Sequence, residues 1–136
     1  MGQTLAPGGL VTVGRAAEIA RFLEAAAWDE AERVPLGADW SNRRYERLRR
    51  AGGSAVLMDA SADSPVDAFV AVDRWLRSID LHAPLILAAD VSKGLLLLED
   101  LCDDLVAAVV ARGDEAAIYE VALGAILRLQ DAQPPA

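Results

Sequence analysis

The sequence predicts one α+β domain: a five-stranded antiparallel sheet with a helix before it, a helix after its third strand and helices at the C-terminal end. Three observations carry this. Apolar residues recur at three- and four-residue spacing in three stretches, short apolar runs of strand length lie between them, and glycine-bearing turns separate the runs. With 136 residues, 54% hydrophobic and 5% aromatic, the chain has apolar material for one core and not for two.

Residues 1–12 hold Pro7, Gly8 and Gly9 without any period, and read as a disordered N-terminus. From Gly14 to Trp28, Ile19, Phe22, Leu23 and Ala26 share a face while Arg15, Glu18, Arg21 and Glu24 take the other, which predicts an amphipathic helix. Val34 and Leu36 alternate around Pro35, which tolerates only an edge strand or an irregular start. Gly37–Asn42 is a turn by composition. Arg43–Arg50 suits an exposed strand, Ala51-Gly52-Gly53 a hairpin connection, and Ser54–Ala60 a third, apolar strand. Ser64 is the expected N-cap and Pro65 the first position of a helix reaching Ile79, with Val66, Phe69, Val72, Leu76 and Ile79 on its stripe. Asp67, Asp73, Arg74 and Arg77 fall off that stripe. Leu85–Val91 and Leu95–Leu101 form a second hairpin across Ser92-Lys93-Gly94, and the run 95–98 reads as a strand covered on both faces. Asp103–Ala111 and Asp114–Asp131 read as two helices, the second capped by Asp114.

Composition limits the chemistry. Thirteen basic against 21 acidic residues give a net charge of -8, which opposes attraction to nucleic acid and to anionic membrane surfaces. No apolar run reaches the roughly 20 residues of a membrane span, and residues 1–10 lack the pattern of a secretory signal, so a reducing cytoplasm is expected. One cysteine (Cys102), one histidine (His82) and one lysine (Lys93) leave neither an intrachain disulfide nor a Cys/His zinc site, and His82 reads as a loop residue before Pro84.

Four runs in one order carry a resemblance: Gly37-Ala38-Asp39-Trp40-Ser41-Asn42-Arg43-Arg44-Tyr45, Ala55-Val56-Leu57-Met58-Asp59-Ala60, Ala83-Pro84, and Leu95-Leu96-Leu97-Leu98-Glu99-Asp100-Leu101. Over residues 14–133 the chain resembles the amino-terminal lobe of the aminoglycoside phosphotransferase family of kinase-like enzymes, nearest to the branch of bacterial anomeric N-acetylmuramate and N-acetylglucosamine kinases. The resemblance implies a kinase-like small lobe over 13–101, with 102–136 as hinge and linker helices toward a catalytic lobe. It implies ATP and Mg2+ as cofactors of the whole enzyme and a nucleotide as partner of this lobe. The turn carrying Gly37 and Ser41 would then cover the phosphates, with Arg43 and Arg44 just beyond it. Val56 and Leu98 would line the adenine pocket, though ordinary sheet core predicts the same residues. The backbone of Glu99 and Leu101 would meet the adenine edge.

Two departures from the family bear on activity. The strand-three lysine that normally pairs with the phosphates is replaced by Met58, and either Arg43 or Arg44 is the candidate substitute. Asp67 and Asp73 are the candidates for the helix carboxylate that this lysine would pair with. The family's His-x-Asp catalytic loop and metal-binding Asp have no counterpart among these residues, so no catalytic or metal residue is assigned and turnover by this chain alone is not expected. The alternative is a non-catalytic module that uses the same sheet and helix surface to associate with itself or another chain.

Overall fold

A computed structural model describes residues 13–37, 42–60, 66–103, 110–113 and 115–135. The expectations for the N-terminal 12 residues, Ser41, Ser64, Pro65, Asp114 and most of the 103–111 helix lie outside the described residues. Helix α1 (Val13–Ala25) precedes strands β1 (Glu32–Pro35), β2 (Arg43–Arg50) and β3 (Gly53–Ala60); α2 (Val66–Ser78), β4 (Ile86–Asp90), β5 (Leu95–Glu99) and α3 (Glu115–Asp131) follow. The five strands form one sheet in the order β1-β2-β3-β5-β4, every neighbouring pair antiparallel. The fold is α+β, a sheet with these three helices among the described residues, as expected of a kinase-like small lobe.

Strand alternation sorts the core into two layers. Leu48, Ala55, Leu57, Leu95 and Leu97 point to one face and pack with Ile19, Leu23 and Trp28 of the α1 region. Met58, Ala60, Leu96 and Leu98 point to the other and pack with Val66 and Val70 of α2. All four leucines from 95 to 98 are therefore buried, which explains an unbroken apolar run in place of an alternating one.

β2 is more central than its five arginines suggest. It pairs with β1 on one side and β3 on the other, and Leu48 is fully buried. β1 keeps the edge, where Pro35 costs no ladder bond.

Both α1 and α2 end in the same left-handed cap. Ala27 has φ 58°, its amide bonds to Glu24 O at 3.0 Å, and the Trp28 amide bonds to Leu23 O at 2.8 Å. Asp80 has φ 59°, with Asp80 N to Arg77 O at 3.3 Å and Leu81 N to Leu76 O at 3.0 Å. These are the paired bonds of a Schellman motif. In the first, the cap turns Trp28 back beneath α1, so the helix stops at Ala25 and not at Trp28, as the apolar spacing had predicted.

The stripe expected on α2 is rotated. Val66, Val70 and Asp73 are its buried residues, whereas Val72 is 44% exposed. Positions 66, 70 and 73 satisfy the helical spacing as well as 66, 69, 72 and 76 do, and alanines between them leave the choice to the sheet. Gly94 closes the second hairpin with φ 66°, its carbonyl accepting the Ala60 amide at 2.9 Å.

Candidate functional site

The sequence-derived candidates divide between the two faces of the sheet. The register Arg43↔Ala60, Arg47↔Val56 and Val56↔Leu98 puts Arg43, Val56 and Leu98 on the α2 face, with Met58 between them. Arg44, opposite Asp59, lies on the α1 face. The two arginines proposed as alternative phosphate cations are thus separated by the sheet, and only Arg43 shares a face with the apolar candidates. Its guanidinium sits 5.6 Å from the Phe69 ring centroid of α2. Along β3, the row holding Arg43 and the row holding Val56 are four residues, or about 13 Å, apart.

This face is less open than its resemblance to a nucleotide lobe suggested. Met58 is fully buried and Leu98 is 5% exposed, because α2 lies over them; Val56 is half-buried. The position that carries the family's lysine is therefore hydrophobic core. Asp73 faces inward on α2, is 5% exposed, and leaves its Oδ1 without a hydrogen-bond partner. Lys93 stands in the 3-10 turn Val91–Lys93, with its Nζ 3.2 Å from Asp90 Oδ2. Asp90 is held below the usual carboxylate range by the Ser92 hydroxyl, against its own desolvation, with Lys93 assisting. Gly37 is exposed, and a Cβ there would meet nothing within 4 Å.

At the end of β5 the chain is tied back to the sheet by a residue that sequence reasoning missed. Arg47 donates from Nη1 to Asp103 Oδ2 at 2.8 Å and from Nη2 to Asp103 Oδ1 at 2.9 Å and Asp100 Oδ1 at 3.1 Å. Its Nε lies 2.9 Å from Asp100 Oδ2, an ion-pair contact without hydrogen-bond alignment. Asp100 Oδ1 also accepts the Cys102 amide at 3.0 Å, and Cys102 has φ 63°. Asp103 is held below the usual carboxylate range chiefly by its bonds to Arg47. For Asp100 desolvation pushes upward, but the Ser54 hydroxyl, the Cys102 amide and Arg47 together bring the group below that range. No local signal marks it: Arg43 and Arg49 share its parity on β2, and only the register against β3 and the return of the chain after β5 single Arg47 out.

The Glu99 side chain turns away from Val56 and Leu98, accepting the Leu85 amide at 3.0 Å, with His82 Nε2 3.8 Å away. Leu101 is 49% exposed. Among the described residues no group of three or more His, Cys, Asp or Glu is placed to hold a metal ion, and no helix is long and apolar enough to cross a membrane.

Comparison with known proteins gives this sheet a chemical context. No protein-family model matches the chain. An N-acetylmuramate/N-acetylglucosamine kinase of Caulobacter vibrioides is 37% identical over 150 aligned residues, taking in 89% of this chain and 41% of that protein. The chain is a relative of these sugar kinases. Those of Pseudomonas putida and Pseudomonas aeruginosa are 38% and 36% identical, over 76% and 78% of this chain and 32% of each kinase. The chain thus spans between 32% and 41% of the length of these relatives. The resemblance read from the four motifs holds at the level of this kinase group.

Proposed function

We propose that this chain is the nucleotide-binding lobe of an ATP-dependent amino-sugar or aminoglycoside-type phosphotransferase. The observation that carries the reading is the alignment of Arg43, Val56 and Leu98 on one sheet face running to Glu99–Leu101, in a relative of sugar kinases. In this reading the adenine edge meets the Glu99 carbonyl and the Leu101 amide, Val56 packs on the base, and the triphosphate runs along β3 toward Arg43. The turn at Gly37 and Ser41 closes over the phosphates. With Met58 buried, Arg43 is the candidate phosphate cation on that face, where Arg47 is engaged by Asp100 and Asp103, and Arg44 is left to the α1 side. In this reading Mg2+ and the acceptor-positioning residues belong to the other part of such a kinase. The working compartment in this reading is the cytoplasm.

Titration of the 136-residue chain with ADP or ATP, followed by backbone amide NMR, tests this. The expected result is saturable shifts at Val56, Leu98, Leu101 and Arg43 with a Kd of about 1 mM, equivalent to roughly 4 kcal/mol. Arg43→Met should weaken binding and Arg44→Met should leave it unchanged. Shifts confined to other surfaces, or none at 10 mM nucleotide, would overturn the reading.

A second reading, a module that associates with itself or another chain, is favoured by α3. That helix has no buried residue, and Tyr119, Leu123, Ile126 and Leu127 are all at least half exposed.

A further inference from the structure

We infer that Arg47 is a positioning residue, which fixes the segment Asp100–Asp103 against the sheet and so sets the backbone that leaves β5. The inference rests on three features of the molecule.

The first is placement. Arg47 occupies the second place, on β2, in a cross-strand row, Val34–Arg47–Val56–Leu98–Ile86, whose other members are all apolar. Its side chain is only 11% exposed and that of Asp100 5%, so two charges have been withdrawn from most of their water. An apolar side chain of similar volume would fill such a row without that desolvation, and buried ion pairs are often no more stabilising than the apolar residues that replace them. A gain in stability is therefore a poor explanation for an arginine here; a geometric role is a better one.

The second is geometry. A lysine ammonium is a point charge, whereas the guanidinium fork spans two carboxylates at once. Asp103 is held by two parallel N–H donors, and Asp100 by Nη2 and the Nε contact. The two acids lie three residues apart on the exit segment, and together they fix both its direction and its rotation about β2.

The third is what lies between them. Cys102 holds a left-handed backbone that a residue with a Cβ adopts at a cost, and Asp100 Oδ1 stabilises it by accepting the Cys102 amide. Arg47 bonds to that same oxygen, so arginine and turn are linked through one atom. Leu101, half exposed between the two acids, has its backbone direction set by this pair. In the proposed function, on which this consequence rests, its amide meets the nucleobase, and Arg47 acts on the ligand only through that segment.

The test compares the chain with its Arg47→Met, Arg47→Lys and Asp103→Asn variants by residue-resolved amide hydrogen exchange and by ADP titration. Asp103 is 80% exposed, so Asp103→Asn removes the fork's partner without endangering the fold. Exchange at Cys102 and Asp103 is expected to quicken by about tenfold or more in Arg47→Met and Asp103→Asn, while β3 and β5 stay within about twofold, with Arg47→Lys between. The Kd for ADP is expected to rise by about fivefold to tenfold in the same order. Unchanged exchange at Cys102 and Asp103 in a folded variant, or uniform quickening across the sheet, would overturn the positioning role. Should the unaltered chain bind no ADP, the nucleotide reading fails and the exchange result alone decides the role of Arg47.

Discussion

Gly94 and Gly37 are both glycines at turns, and their surroundings set them apart. A Cβ on Gly94 would lie 2.7 Å from Ala60 O, a backbone atom, at φ 66°. Neither the clash nor the left-handed backbone has a flexible side chain to absorb it, so Gly94→Ala is expected to cost about 2–4 kcal/mol in urea denaturation. Gly37→Ala, in open space, is expected to stay within about 0.5 kcal/mol, and a larger effect on nucleotide affinity would support the role proposed for that turn. The two acids on Arg47 make a prediction with a sign. Both fold with their pKa depressed, so their contribution is complete above the unfolded carboxylate value and is lost as pH falls through the folded one. Stability measured by urea denaturation between pH 7 and 2 should therefore drop below about pH 4, and Asp103→Asn should flatten the drop. Because Asp103 is mostly exposed, 1 M salt should reduce its share, the screening length there being about 3 Å. At this scale the sequence was legible where chemistry is local. Lys93 in its turn and Pro35 on an edge were read from neighbours, whereas Arg47 needed the register of β2 against β3 and the return of the chain after β5.

The helix ends show how far one-dimensional periodicity reaches. Spacing located α1, α2 and α3, because amphipathic repeats survive without knowledge of what they face. It placed the end of α1 too late because Trp28 continues the apolar spacing while the backbone has already reversed at Ala27. Alanine in that left-handed position keeps a Cβ that glycine would not have. Ala27→Gly is therefore expected to stabilise the chain by about 1 kcal/mol, read as a higher urea midpoint with an unchanged slope. A lower midpoint would mean that the Ala27 methyl contributes packing beside Trp28 that outweighs the backbone cost. The orientation of α2 was not legible for a different reason. Val66 belongs to two overlapping stripes, and only packing on Met58, Ala60, Leu96 and Leu98 of the sheet decides that Val70 and Asp73 turn inward and Val72 outward.

For the whole molecule, the order of strands and the two-layered core followed from local signals that agreed with one another: glycine turns at 52–53 and 94, and a doubly apolar β5. The candidate face followed only in part, since the register of β2 and cover by α2 are tertiary facts that separated Arg43 from Arg44 and buried Met58. α3 is the element whose pattern and surroundings disagree. Its apolar residues recur at helical spacing, yet Val121 is 75% exposed and Leu123 and Leu127 are 57% and 52% exposed. The hydrogen bonds that hold it are peripheral: Arg128 Nη1 reaches Asp80 O at 2.7 Å and, just past the helix, Gln133 O accepts from Trp75 Nε1 at 2.6 Å. A helix held this way gains little from its outward leucines, so the double variant Leu123→Ser/Leu127→Ser is expected to change unfolding stability by no more than about 1 kcal/mol, the summed propensity loss of two exposed helix positions. The same change should reduce any rise in apparent mass with concentration in light scattering, because those leucines supply contiguous apolar surface. A loss of several kcal/mol would instead mean that α3 turns its leucines onto the sheet domain in solution, and the surface that favours association would then be internal.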